Sequence, residues 1–310
     1  MKVAVTGATG FVGTALVGAL QQEGHQVRRL VRPYPAGRSS DLAESVVGSL
    51  SDAEALRRLC DGADALVHLV AIIRERGAAT FESVNVAGVQ QVVAAARTAG
   101  VRRFVHLSAL GADAASRYPY LRSKGLGEDA VRVSGLNYTI LRPSIIFGPS
   151  DEFVNLLAAL VVALPAVPIA GSGGSMLQPI SLRNLCQIVI GCLESDQHSF
   201  KSYEIGGPEQ ISYESLVRTI AGELGLRRLL VKIPLWTMIP VASLMGRLLP
   251  YPPVTPGQLS LLNIDNITTN NAALEVFHLD LDRLAGNIGY IHSLTWPKAM
   301  AAVLGLAPVR

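Results

Sequence analysis

Ser108, Tyr120 and Lys124 are the residues best suited to bond-making chemistry in this chain. Tyr120 and Lys124 stand four apart in Tyr120-Leu121-Arg122-Ser123-Lys124, so a helix places them on one face. A tyrosine there can pass a proton to or from a reacting oxygen, and an ammonium beside it lowers the phenol pKa. Ser108 lies twelve residues before Tyr120, in Leu107-Ser108-Ala109-Leu110-Gly111. A serine hydroxyl at the end of that strand can polarise a carbonyl. Together the three point to proton transfer at a keto or hydroxyl group. His25, His68, His106, His198, His278 and His292 show no metal-ligand spacing, and the carboxylates form no paired motif. His68 and His106 read as buried residues at strand ends.

A second constellation fits a cofactor. Lys2-Val3-Ala4-Val5 is an apolar strand, followed by Thr6-Gly7-Ala8-Thr9-Gly10-Phe11-Val12-Gly13 and a helix from Phe11 to about Glu23. Gly7 permits a tight turn, Gly10 lets backbone approach a pyrophosphate, and Gly13 lets helix and strand pack closely. The helix start then offers unpaired N–H groups and partial positive charge to phosphates. Glycines at this spacing, between strand and helix, predict a dinucleotide site. The second strand ends Leu30-Val31-Arg32-Pro33, with arginine where an acidic residue accepts the ribose hydroxyls of NAD. A guanidinium there suits the 2′-phosphate of NADP, so NADP(H) is expected to be preferred over NAD(H).

These residues need a scaffold of alternating strands and helices. After the first unit, strands are expected at Gln26–Val31, Val46–Val47, Ala65–Leu69, Phe104–Leu107 and Tyr138–Leu141. Helices are expected at Asp52–Cys60, Phe81–Ala99 and Tyr120–Ser134, an alternation that predicts a parallel sheet. Beyond Pro143 the pattern breaks up into Pro-, Gly- and Ser-rich stretches, with a strand at Ser202–Ile205 and a helix at Ser212–Leu224. The expected fold class is α/β. A Rossmann-type, doubly wound parallel sheet occupies residues 1–150, with some later segments returning to it. A smaller C-terminal α+β region, residues 151–310, caps the site and binds substrate or partner.

Thr6 to Gly13, Asn85 in Val84-Asn85-Val86-Ala87-Gly88, Ser108, Tyr120 with Lys124, and Arg142-Pro143-Ser144 resemble the short-chain dehydrogenase/reductase superfamily. The likeness is to its extended, atypical, epimerase/dehydratase-like branches. It narrows to bacterial relatives of the accessory NAD(P)-binding subunit of respiratory complex I. The segments that carry this are His68-Leu69-Val70-Ala71-Ile72-Ile73-Arg74-Glu75, His106 to Asp113, Leu141 to Pro149, Tyr203 to Pro208, and Leu262 to Asn266. The resemblance implies that Tyr120 is the acid/base, Lys124 orients the nicotinamide ribose and Ser108 holds the carbonyl. It puts Gly7, Thr9, Gly10, Phe11, Val12, Gly13 and Leu69 at the cofactor, with Pro143 and Ser144 beside the nicotinamide. Asn85 either anchors a water in a proton relay or ties helix to sheet. Arg74 and Glu75 contact substrate or form a surface ion pair. One departure is Ser49, where an acidic residue commonly meets adenine. Members of this family also hold NADPH as a fixture without known turnover.

Composition narrows the partners. Net charge is +3 and no basic cluster interleaves with aromatics, so nucleic acid is not expected. Cys60, Cys186 and Cys192 form no CxxC pair and read as buried thiols in a reducing compartment, with no metal. The first strand begins at residue 2, which leaves no room for a signal peptide and predicts a cytoplasmic protein. Hydrophobic residues are 49% and charged ones 16%, a balance that a buried parallel sheet, a large interface or contact with the cytoplasmic membrane face would each explain. Apolar stretches within 153–170 and 229–254 are short and broken by proline, so neither is expected to span a bilayer. Arg227, Arg228, Lys232 and Arg247 flank the second, which packs on the protein or lies at a membrane interface. Two functions stand. One is an NADP-dependent oxidoreductase acting on a hydroxyl or keto group of a small substrate, apolar in the manner of a quinone, isoprenoid or lipid; a sugar-nucleotide epimerase or dehydratase is its lower-ranked variant. The other is a non-catalytic NADPH-binding accessory or assembly subunit of a membrane respiratory complex.

Overall fold

The computed structural model describes residues 1–33 and 44–308. In chain order it begins β1 (Lys2–Thr6), α1 (Phe11–Gln22), β2 (Gln26–Val31), β3 (Ser45–Val47), α2 (Ala53–Cys60) and β4 (Ala65–His68). A π-helical turn (Glu82–Val86) leads into α3 (Ala87–Thr98), then β5 (Arg103–Leu107), α4 (Pro119–Arg132), β6 (Tyr138–Pro143), β7 (Ile146–Phe147), α5 (Phe153–Ala163) and β8 (Ala166–Ala170). Next come β9 (Met176–Leu177), β10 (Ile180–Ser181), α6 (Leu182–Glu194), β11 (Lys201–Ile205), β12 (Ile211–Ser212), α7 (Tyr213–Glu223), β13 (Leu229–Ile233) and α8 (Leu235–Leu248). The chain closes with α9 (Pro256–Leu261), α10 (Ala272–Glu275) and α11 (Trp296–Val303).

The chain divides into two compact units, Met1–Pro143 with Leu185–Glu204, and Ser144–Asn184 with Ile205 onward. The first is built on a seven-stranded sheet in the order β11-β6-β5-β4-β1-β2-β3. The registers linking β3, β2, β1, β4, β5 and β6 are all parallel. The chain winds outward from β1 through β2 to β3, then restarts at β4 on the other side, so the order reverses between β1 and β4. Loops diverge at such a switch point and leave a crevice at the carboxyl ends of the strands. Val3, Ala4, Val5, Leu66, Val67, Phe104 and Ile140 are fully inaccessible or within 1% of it, as both-face burial of a parallel sheet requires. Under α2, α3 and α4 the core is Leu56, Leu59, Val92, Phe104, Val131 and Ile140. The fold class is as the alternation predicts.

The expected helix at Phe81–Ala99 is not regular. Its first turn is π-helical, and α3 proper starts only at Ala87. Such a bulge commonly marks a place where a side chain inside the helix has another obligation, and here that residue is Asn85.

The second unit packs Phe147, Leu157, Val161, Ile169, Leu216 and Ile220 into a core of its own. β13 runs parallel to β8, and α11 lies on α5 through Ala159, Ala163, Ala299 and Ala302. Asp151 opens α5 by accepting from the Val154 N–H at 2.6 Å and from the Tyr290 hydroxyl at 2.7 Å. Among the described residues, no helix is long and apolar enough to cross a membrane.

Candidate active site

The glycine loop closes tightly. Gly7 has φ +78°, and the Gly10 N–H donates to its carbonyl at 3.0 Å. A Cβ on Gly13 would stand 2.0 Å from the Gly7 oxygen, so α1 reaches this turn only without a side chain there. A Cβ on Gly7 would meet the Leu69 and Val70 backbone at 3.2 Å, which puts Leu69 beside the loop. Gly10 is the N-cap of α1 and supplies no capping side chain. The first-turn N–H groups, those of Phe11 and Val12 among them, are thus left to a phosphate, and the cradle fits the pyrophosphate of a dinucleotide. Arg32 follows β2 as an exposed residue.

α4 carries Tyr120 and Lys124. It approaches its neighbours closely because it has glycine on both sides of a turn: a Cβ on Gly125 would lie 2.2 Å from the Ala114 nitrogen, and one on Gly127 would lie 2.7 Å from the Asn85 oxygen. Lys124 is buried, and its ammonium donates to the Leu107 carbonyl at 2.7 Å, the residue before Ser108. The Ser108 hydroxyl is buried and has no hydrogen-bond partner among the described residues. Lys124 and Ser108 therefore meet at the carboxyl end of β5. Tyr120 is half-buried, one turn up the same helix, with its ring 6.1 Å from that of Phe81.

Burial sets the protonation of this pair. Desolvation pushes the Tyr120 phenol up to about 12, so it carries its proton at neutral pH. Lys124 is pulled down to about 8 by burial, opposed by the nearby Glu128 carboxylate. The Lys124 ammonium and the Ser108 hydroxyl stand at one strand end, and the Tyr120 phenol is carried one turn away on the same helix as Lys124.

A row of polar residues runs beneath it across three strands. Thr6 Oγ1 is 2.7 Å from His68 Nδ1, and His68 stacks on His106 at 5.5 Å with planes 10° apart. Both histidines are fully inaccessible. Burial holds His68 near 3, and burial first, then the Lys124 charge, holds His106 well below its ordinary value. Both rings are therefore neutral.

Asn85 spends its amide on structure. Its Oδ1 accepts from the Ile72 N–H at 2.9 Å, and its Nδ2 donates to the Ile72 carbonyl at 3.0 Å and to Ser123 Oγ at 2.9 Å. Ser123 in turn donates to the Tyr120 carbonyl. Glu75 accepts from the Phe81 N–H at 2.7 Å. Pro143 ends β6, whereas Ser144 belongs to the second unit, where its hydroxyl lies 2.6 Å from Asn266 Oδ1. Ser49 Oγ is 2.9 Å from Ser51 Oγ.

One device escapes the sequence reading. The fully buried Glu128 carboxylate receives Arg142 through two hydrogen bonds, 2.8 and 2.6 Å, and Arg132 through one of 2.6 Å. This clamps α4 to β6. The neighbouring Lys124-Gly125-Leu126-Gly127 was a signal, since glycines inside a helix lose stability and need a packing reason. Among the described residues, no group of three or more His, Cys, Asp or Glu is placed to hold a metal ion.

Residues 7–152 match the family described as NAD(P)H-binding. This part of the chain is an NAD(P)H-binding domain. Over 170 residues, 54% of this chain and 53% of the relative, the protein is 41% identical to a ceramide reductase of Caulobacter vibrioides. The match thus spans about half of that protein's length. It is 26% identical over 301 residues to mitochondrial NADH dehydrogenase [ubiquinone] 1 alpha subcomplex subunit 9 of Arabidopsis thaliana, covering 89% of this chain and 73% of that one. In fold it is similar to a short-chain dehydrogenase/reductase superfamily protein of Agrobacterium tumefaciens with bound NAD, at TM-score 0.70 and 22% identity, over 97% of this chain and 98% of the other.

Proposed function

We propose that the protein is an NADP(H)-dependent oxidoreductase that interconverts a keto group and a hydroxyl on an apolar substrate. The observation that carries this reading is Lys124 tied to the Leu107 carbonyl, one helical turn from Tyr120 and one residue before the Ser108 hydroxyl, which has no hydrogen-bond partner among the described residues. A bound nicotinamide supplies or accepts the hydride. The Ser108 hydroxyl donates a hydrogen bond to the substrate oxygen and holds the carbonyl. The Tyr120 phenol, protonated at neutral pH, gives its proton to that oxygen as it becomes a hydroxyl. Lys124 stabilises the phenolate left behind and would orient the nicotinamide ribose. Asn85 acts as a positioning residue, through Ser123 to the Tyr120 backbone. At the far end, Gly7, Thr9, Gly10, Phe11, Val12, Gly13 and Leu69 hold the dinucleotide, and Arg32 pairs with the 2′-phosphate.

The relative named ceramide reductase supports a lipid-like substrate. Similarity to the NADH dehydrogenase subunit over 89% of this chain favours a second reading, a subunit that holds NADPH without turning it over. Oxidation of NADPH by the purified chain, with long-chain ketones and quinones offered in turn, separates the two. The oxidoreductase reading expects one class of acceptor to be consumed with NADPH preferred over NADH; a nucleotide that stays reduced with every acceptor contradicts it.

A further inference from the structure

We infer that the second unit carries a membrane-binding face built on α8, and that it seats on an anionic phospholipid surface. α8 is apolar toward solvent. Trp236, Pro240, Leu244 and Leu248 recur every four residues and form one stripe. Trp236 is 76%, Leu244 57% and Leu248 71% exposed, while within this helix Ala242 alone is buried. A surface helix of a soluble protein shows the reverse pattern.

Further exposed apolar residues neighbour the helix. The Tyr251 N–H donates to the Gly305 carbonyl at 3.0 Å, which brings the exposed Leu306 alongside the end of α8. Just before α8, the exposed Leu229 and Val231 alternate along β13. Scattered exposed apolar residues need no explanation, but a continuous stripe does.

Charge identifies the occupant. From residue 224 to residue 264 the sequence contains Arg227, Arg228, Lys232 and Arg247 and not one carboxylate. Lys232 meets Glu214 from α7 at 3.0 Å, and the Arg228 guanidinium donates to the Val161 carbonyl. Arg227 and Arg247 are exposed. An aromatic and aliphatic stripe with Arg227 and Arg247 exposed at its margins, and no acid within the segment itself, matches an anionic headgroup layer, where arginine reaches outward along its stem. At about 21 Å, this 14-residue helix is shorter than a bilayer's hydrocarbon core and would lie in the interface plane.

The experiment is co-sedimentation of the full chain with phosphatidylcholine vesicles, with and without phosphatidylglycerol. It is made without substrate, so it is independent of whether NADPH turns over. Binding is expected only with phosphatidylglycerol, and is expected to weaken with salt and by about fivefold in Arg247→Glu for the cation alone. Leu244→Asp/Leu248→Asp is expected to abolish it while nucleotide binding, the check on folding, persists. In Trp296→Phe, emission from Trp236 should shift to the blue as vesicles are added. Absence of binding to the anionic vesicles overturns the inference, as does binding that survives the double substitution. A concentration-dependent dimer that the double substitution disperses, without vesicle binding, would assign the face to a second copy of this chain and overturn it equally.

Discussion

Arg32 and His106 show how single residues carry separate parts of the account. Arg32 follows β2, and the proposed function pairs it with the 2′-phosphate of NADP, where an acid would favour NAD instead. Charge-assisted hydrogen bonds contribute about 1.5–3 kcal/mol, so Arg32→Glu should weaken NADPH binding by about tenfold or more relative to NADH. Calorimetry with both nucleotides checks this, and unchanged relative affinities contradict it. His106 tests the buried polar row. Its folded pKa lies well below its unfolded one, as does that of His68, held near 3. The unfolded rings take up protons as pH falls below about 6.5 while the folded ones do not, so the stability these groups provide is present above that pH and lost below it. Each such histidine adds a slope of up to about 1.4 kcal/mol per pH unit in that window. Neither His106 nitrogen has a hydrogen-bond partner among the described residues. His106→Phe should therefore flatten the loss of urea stability between neutral and acid pH without lowering stability at pH 7. An unchanged slope would contradict buried neutral rings.

At the scale of elements, α4 matters most, because it carries Tyr120 and holds Lys124 against the end of β5. Its position depends on Gly125, Gly127 and the Glu128–Arg142 pair. Removing one partner of a buried ion pair costs about 3–5 kcal/mol. Glu128→Gln should lower urea stability by an amount of that order and release Arg142, measured as a shift in the unfolding midpoint; a shift within error would show that the clamp is dispensable. The strands, the glycine loop and the Tyr120/Lys124 face were legible in the sequence because each rests on local spacing: apolar runs, glycines three apart, residues four apart. The π-turn and the clamp were not. The first depends on Asn85 meeting Ile72 and Ser123, the second on Glu128 meeting Arg142, and neither partner is marked by spacing. Ser144 shows the same limit: its neighbour Pro143 ends β6, but its hydroxyl is turned to Asn266.

For the whole molecule, the high apolar content has two sources. The central sheet strands are buried on both faces, and the stripe on α8 is exposed. The first follows from a doubly wound fold; the second was legible only as an apolar stretch bordered by cations, since sequence does not tell which way a helix face turns. In the proposed reaction, what the molecule does with its cofactor comes down to the Tyr120 proton. The most direct measurement is single-turnover oxidation of bound NADPH by a long-chain ketone or quinone acceptor, followed in the unaltered protein and in Tyr120→Phe. The account predicts oxidation in the former and a rate lower by about 10²–10⁴-fold in the latter with NADPH still bound. Equal rates in the two proteins, or no oxidation in either, would contradict it.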